Sequence, residues 1–146
     1  MPANTLPIFS LAPDIQWGST DGNAGAAGPL KTANTAMDGT GTVLTIFAAD
    51  ATNGGRIEML LIKPAGTNVA TVLRVFINNG SANTVIANNT LIDEVTIPAT
   101  TASNAASQVD VVMNLNLPLP PGYKINVAIG TTVAGGLQIT GIGSKY

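Results

Sequence analysis

VDVVMNLNL, residues 109–117, is the stretch that decides the fold. Apolar side chains occupy every second position from Val109 to Leu117, and Asp110, Asn114 and Asn116 are among the residues between them. Successive side chains of a β-strand point to opposite faces of a sheet, so this pattern predicts a strand with one buried face and one polar face.

Similar short apolar or alternating runs recur from residue 41 onward, each bounded by Gly, Pro or Asn. They predict seven strands, near residues 42–47, 56–64, 69–78, 91–98, 109–117, 123–130 and 136–143. The run 69–78 is apolar on both faces, with Arg74 and Phe76 on its second face, so we expect it to be central in its sheet or to contact a partner. No segment carries a helical apolar stripe for three turns. The pattern as a whole is typical of an all-β sandwich or barrel.

Residues 1–36 have a different texture, with four of the nine prolines and a Gly/Ala/Asn-rich patch at 21–29. They predict an irregular N-terminal arm, with room for one short strand, ahead of a single β domain at 37–146. A large apolar residue in such an arm most often anchors it to its own core or to a neighbouring subunit. The predicted interface residues, in the arm and on the doubly apolar run, are Ile8, Phe9, Leu11, Ile15, Trp17, Arg74 and Phe76.

The composition excludes several classes of function. The chain has no His and no Cys, which removes the common zinc ligands and the catalytic triads that use a histidine base. Six scattered basic residues and a net charge of -2 give no electrostatic footprint for nucleic acid. Neither an N-terminal signal segment nor an apolar run of about 20 residues is present, so we expect cytoplasmic synthesis and no membrane partner. Only 10% of residues are charged, which favours a protein that functions in an assembly.

The sequence DGTGT at 38–42 looks like a ligand loop at first sight. A calcium loop needs further oxygen ligands at alternate positions, and a phosphate loop needs Gly-Lys-Ser/Thr followed by a helix. Asp38 is followed by neither pattern, whereas Asp-Gly is a strong turn dipeptide. The segment is therefore predicted to be the turn that precedes a strand, and we predict no metal site and no cofactor.

The carboxylates give little support for an enzyme. Asp93 and Glu94 are adjacent and would point to opposite faces of a strand, so a catalytic pair would need Glu58 or Asp110 from another strand. Arg74 and a second arginine in the run 56–64 are more simply explained by structural pairing with Glu58 and Asp110. We predict that the protein is not an enzyme.

A resemblance supplies a more specific expectation. The segments TANTAMDGTGT at 32–42, ATVLRVFINNG at 70–80 and LPPGYK at 119–124 are similar to a group of small proteins encoded in tailed-phage and prophage structural gene clusters. The similarity covers roughly residues 30–146. It implies a jelly-roll-like β-sandwich located in the virion, most simply a head decoration (cement) protein that binds the major capsid protein or another virion protein, often as a homotrimer.

Two other functions stay open at this point. A tail or fibre surface module could bind a host receptor or glycan, with Trp17 as a stacking platform for a sugar. An enzyme would require two of the four carboxylates to converge in one cleft.

Overall fold

The alternating runs form strands in a computed structural model, which describes residues 12–18 and 28–146. All seven strands predicted from the sequence are present, and an eighth lies in the arm. Within the described residues the helical structure is limited to one 3-10 turn, Ile86–Asn88. The strands are β1 Ala12–Trp17, β2 Leu44–Ala48, β3 Gly55–Pro64, β4 Thr71–Asn78, β5 Asn89–Ile97, β6 Val111–Leu119, β7 Lys124–Ile129 and β8 Leu137–Lys145.

The strands form two four-stranded sheets that pack as a sandwich. The first sheet has the order β1-β8-β3-β6 and the second has the order β2-β7-β4-β5, with every pair antiparallel. β1 pairs with β8, β2 with β7, β3 with β6 and β4 with β5, which is the pairing of a long hairpin rolled up into two sheets. This is the topology of an eight-stranded jelly roll, and the predicted fold is confirmed.

The core lies between the two sheets and is built from the inward positions of each strand. β3 shows how the sequence places them, because its register shifts between Ile57 and Met59. This β-bulge lets Ile57 and Leu60 both point inward although three positions separate them, while Met59 turns outward. Complete burial of one such side chain contributes about 1.5–3 kcal/mol. The largest fully buried side chains are Phe47, Phe76, Ile46, Ile57, Leu60, Ile62, Leu73, Ile97, Ile125, Ile129, Leu137 and Val75.

A glutamine side chain joins the two sheets on one side of the sandwich. Gln16 of β1 is buried, and its Nε2 donates to the Ala48 carbonyl of β2 at 3.1 Å. The Ala48 amide donates back to Gln16 Oε1 at 2.9 Å. The side-chain amide therefore takes the place of a backbone pair and connects the edge strands of the two sheets, neither of which has another strand partner on that edge among the described residues.

β1 is part of the first sheet, although it lies within the segment that the sequence analysis described as an arm. All six of its residues pair with β8, from Ala12 opposite Lys145 to Trp17 opposite Thr140. A chain that lacks this segment would expose the backbone of β8 and leave Ala48 without its glutamine partner.

Candidate functional site

A stripe of apolar side chains crosses the outer face of the first sheet. The register places Trp17, Thr140, Leu61 and Val112 side by side on its four strands. Directly opposed residues of an antiparallel pair point to the same face, so these side chains form one row. The next row contributes Ile15 on β1, Ile142 on β8 and Met59 on β3. We call the six apolar members, Ile15, Trp17, Met59, Leu61, Val112 and Ile142, the apolar stripe.

The apolar stripe is exposed where the outer face of a monomeric sandwich is normally polar. Ile15 is 54% exposed, Trp17 51% and Val112 51%, and Leu61 is 38% exposed. Met59 and Ile142, in the middle strands, are half-buried. A contiguous apolar patch of this kind is typical of a protein interaction surface.

Ion pairs flank the apolar stripe on both sides along β3. Lys63 Nζ lies 2.6 Å from Asp110 Oδ1 on one side, and Arg56 Nε lies 3.5 Å from Glu58 Oε1 on the other. All four side chains are well exposed, so each pair contributes little to stability. An apolar centre with a charged rim is the usual arrangement of a protein interface.

The structure brings together two of the predicted interface residues, Ile15 and Trp17, in the apolar stripe. Ile8, Phe9 and Leu11 lie outside the described residues. The other two predicted residues, Arg74 and Phe76, are on β4 of the opposite sheet.

Arg74 and Phe76 lie on the outer face of the second sheet, and both are buried within their own chain. Arg74 Nε donates to Glu94 Oε1 at 2.8 Å, from the facing position on β5. Its partner is therefore Glu94, not Asp110 or Glu58 as expected from the sequence. The Phe76 ring is fully buried beneath the turn at Gly39, where an added Cβ would lie 3.1 Å from Phe76 Cδ1. Phe76 has no surface available to a partner in this structure.

Sequence reasoning missed the apolar stripe residues on β3, β6 and β8. The available signal was the run RIEMLLIKP, in which Met59 and Leu61 add apolar residues to the face that does not hold Leu60 and Ile62. That signal identifies an unusual strand, but only the strand order shows that Leu61 and Trp17 are on the same surface.

The DGTGT segment is a turn, as predicted, and β2 begins two residues after it. Asp38 Oδ1 accepts hydrogen bonds from the Thr40 amide at 2.9 Å and the Thr40 hydroxyl at 2.6 Å. Gly39 and Gly41 have φ values of 81° and 76°, which glycine adopts without strain. Buried Asn34 fixes the turn from behind, with Nδ2 donating to the Thr40 and Thr42 carbonyls at 2.7 and 2.8 Å.

The turn predicts a pH-dependent contribution to stability. The hydrogen bonds from the Thr40 hydroxyl and amide lower the pKa of Asp38 below its ordinary value. A carboxyl whose pKa is lower in the folded state stabilises the fold above its unfolded-state pKa, and this contribution disappears as pH falls through the folded-state pKa. We expect Asp38→Ala to lower the free energy of unfolding near pH 7 and to have a smaller effect below about pH 3.

Urea denaturation of the parent protein and of the Asp38→Ala variant, near pH 7 and below about pH 3, measures how the effect of the substitution depends on pH. Thr40→Val is the paired variant, because it removes the hydroxyl that contributes most to the lowered pKa. An effect of Asp38→Ala that is equal at both pH values would contradict the assignment.

The carboxylates considered for catalysis do not converge. Glu58 pairs with Arg56 and Asp110 pairs with Lys63, at opposite ends of the first sheet. Glu94 pairs with Arg74 on the second sheet, while Asp93 Oδ1 accepts from the Glu94 backbone amide. Across residues 12–18 and 28–146, no three His, Cys, Asp or Glu side chains cluster as a metal site would require. The same residues contain no helix with the length and apolar character needed to cross a bilayer.

A cavity of about 360 Å³ adjoins one end of the apolar stripe. Trp17 and Thr140 line it, together with Gln138 of β8 and Leu44 of β2. The half-exposed indole thus lies beside polar side chains that can donate and accept hydrogen bonds.

Comparison of the chain with protein-family models, with curated proteins and with solved structures gives no match.

Proposed function

We propose that the protein is a structural component of a tailed-phage virion, a head decoration protein that binds and stabilises the capsid surface. The observation that carries the proposal is the apolar stripe, which spans all four strands of one sheet and is bounded by ion pairs. The resemblance of residues 30–146 to proteins encoded in phage structural gene clusters is the reason for proposing the capsid as the partner. The proposed location is the virion, after synthesis in the host cytoplasm.

Burial of the apolar stripe would drive the association. Full burial of a large side chain that starts fully exposed contributes about 1.5–3 kcal/mol. A side chain that is already half-buried in the free protein contributes about half of this free energy when a partner covers it. This gain must exceed the cost of immobilising the partners, which is why a stripe of several side chains is needed rather than one. Trp17 is the expected centre of the binding energy, since tryptophan dominates many protein interfaces.

We also propose that copies of the chain associate with each other, with a homotrimer as the expected form. The chain carries only 14 charged residues, six basic and eight acidic, among 146. Charge is a main protection of exposed strand edges and surfaces against unwanted association. A surface with so little of it is better suited to an assembled state than to a free monomer.

A tail or fibre module that binds a host receptor or glycan is the alternative, and one observation favours it. Trp17 is half-exposed beside the cavity of about 360 Å³ that Gln138 and Thr140 also line. An indole face next to amide and hydroxyl groups can stack on a sugar ring and bind its hydroxyls. Specific glycan binding that is lost in the Trp17→Ala variant would favour this alternative, provided that antibody against the protein labels the virion tail.

The proposed function is tested on particles. Purified full-length protein is mixed with capsids that lack it and sedimented, and gold-labelled antibody locates the protein on complete virions by electron microscopy. We expect saturable co-sedimentation and labelling of the head. Labelling restricted to the tail would favour the alternative, and absence from both the head and the tail would overturn both assignments.

A further inference from the structure

A second, polar cavity of about 340 Å³ lies on the outer face of the second sheet, on the opposite side of the sandwich from the apolar stripe. Its floor is formed by strands β2, β7 and β4. Its walls are the turn at 41–43 and the loop at 81–83. The volume is at the lower end of the range of about 300–1,000 Å³ that is typical of small-molecule sites.

The floor of this polar cavity carries amide and hydroxyl groups at outward positions. Asn126 is opposite Thr45 on β2, and Lys124 is opposite Asn78 on β4. Asn126 and Lys124 are two residues apart on β7, so they point to the same face. Asn78 is 1% exposed and Asn126 is 3% exposed. Such deep burial of amides on an outer face requires that each polar atom have a defined role.

The hydrogen bonds of the floor leave two donors without an acceptor among the described residues. Asn126 Oδ1 accepts from the Thr45 hydroxyl at 2.8 Å. In the part of the chain that the structure describes, Asn126 Nδ2 has no acceptor, and Lys124 Nζ has no carboxylate within ion-pair distance. Among the described residues, none that lines the polar cavity is acidic. A cation and an amide donor are thus available to the same ligand.

The walls are fixed in place by side-chain amides. Asn83 Nδ2 donates to the Gly41 carbonyl at 2.8 Å and connects the two walls. Asn34 holds the Thr42 carbonyl at 2.8 Å from the other side, and Asn78 Oδ1 accepts from the Gly80 amide at 2.8 Å. A site with walls held in this way loses little conformational entropy when a ligand binds.

We propose that this polar cavity binds a uronic acid residue of an acidic carbohydrate. The carboxylate contacts Lys124 Nζ and Asn126 Nδ2, because a single cation beside a neutral donor matches a single negative charge. The ring hydroxyls contact Thr42, Ser81 and Asn83 along the walls. The inference does not depend on capsid binding, since the polar cavity and the apolar stripe are on different sheets.

The chemistry of the lining distinguishes this ligand from others. Within residues 12–18 and 28–146 no aromatic residue lines the polar cavity, so these residues offer no platform to a nucleobase or a strongly stacked neutral sugar. The absence of acidic side chains from the lining gives a metal ion no carboxylate ligand. A hydroxylated ring with one carboxylate uses both the charged end and the neutral walls.

The test measures binding of D-glucuronate and D-galacturonate to the full-length protein by NMR chemical-shift titration. Glucose is the neutral control with the same ring, and acetate is the carboxylate without a ring. We expect millimolar binding of at least one uronate, with shifts at Lys124 and Asn126, and binding at least about tenfold weaker for glucose and acetate. Equal binding of glucose and the uronates, or no binding of either uronate, would overturn the proposal.

Variants connect the binding to the residues. Lys124→Gln is expected to weaken uronate binding by at least about tenfold, because it removes the charge-assisted hydrogen bond. Lys31→Gln is the matched control, since it removes an equal charge from an exposed residue that does not line the polar cavity. Unchanged affinity in Lys124→Gln would contradict the site. Thermal unfolding of each variant shows that the fold is retained.

A final comparison distinguishes a free sugar acid from a polysaccharide. An oligosaccharide of the tighter-binding uronate is titrated in the same way. Tighter binding than that of the monomer, still lost in Lys124→Gln, identifies a polymer as the ligand source, whereas equal affinity per uronate unit identifies the monomer.

Discussion

Replacing Leu61 and Val112 together by aspartate is expected to weaken capsid binding by at least about 100-fold, because truncating a residue that anchors an interface costs about 2 kcal/mol or more. The two residues are neighbours on β3 and β6, at the end of the apolar stripe opposite to Trp17. Their conversion to carboxylates removes apolar area and places two charges where the partner would have to desolvate them. Co-sedimentation with capsids measures the effect.

The matched control is Leu91→Asp. Leu91 is 40% exposed, close to the 38% of Leu61, but it lies on β5 of the other sheet. Asp is unfavourable in a strand at any of these positions, so Leu91→Asp shares this local cost with each of the two substitutions and differs from each in the surface that it alters. If capsid binding were lost in Leu91→Asp and retained in the Leu61/Val112 variant, the apolar stripe would not be the docking surface.

Sedimentation velocity of the same variants reports on self-association. If the apolar stripe binds the capsid, the Leu61/Val112 variant keeps the oligomeric state of the parent chain. If it holds the copies together, the variant dissociates to monomers and binding to the capsid falls as a consequence. The two measurements together assign the apolar stripe to one partner.

Replacing Phe47 by alanine is expected to lower the free energy of unfolding by about 3–5 kcal/mol. The ring is fully buried in the core, and it packs so closely on Gly143 that an added Cβ there would lie 3.0 Å from Phe47 Cε2. The cavity left by the ring cannot be refilled from that side, because glycine has no side chain to move into it. A loss of this size is a large fraction of the roughly 5–15 kcal/mol that stabilises a typical domain.

Urea denaturation of the parent protein and of the Phe47→Ala variant measures the loss of unfolding free energy. Phe47→Leu is the control, since it keeps most of the apolar volume, and we expect it to be clearly less destabilising than alanine. A loss below about 1 kcal/mol for Phe47→Ala would show that β2 contributes little to the core.

The sequence predicts most of the fold because most strands alternate in the usual way. β7 is the clearest example: Ile125, Val127 and Ile129 are all buried between the sheets. β1 could not be placed in a sheet by the same rule, because its pattern is inverted. Its buried residue is Gln16, and the neighbours Ile15 and Trp17 point outward. The glutamine is buried because it has two backbone partners on β2, and a linear sequence does not show them.

The two surfaces described here differ in how far the sequence predicts them. Trp17 and Ile15 were expected at an interface, but the other apolar stripe residues depend on strand order. The Arg74–Glu94 pair depends in the same way on the cross-strand register, which a bulge between Val75 and Phe76 alters further along β4. The polar cavity could not be predicted at all, since its lining residues come from three strands and two loops.

The glutamine link between the sheets determines which flank of the sandwich remains open to strand addition. With β1 and β2 bonded to each other through Gln16, the free backbone edges that an incoming strand could extend are those of β5 and β6. β6 carries Pro118 and the left-handed Asn116, with φ 48°, and β5 carries the acidic Asp93 and Glu94. Such features impede continuous pairing. We therefore expect copies of this chain to resist fibril-like stacking through these two edges, despite the scarcity of charge on the rest of the surface.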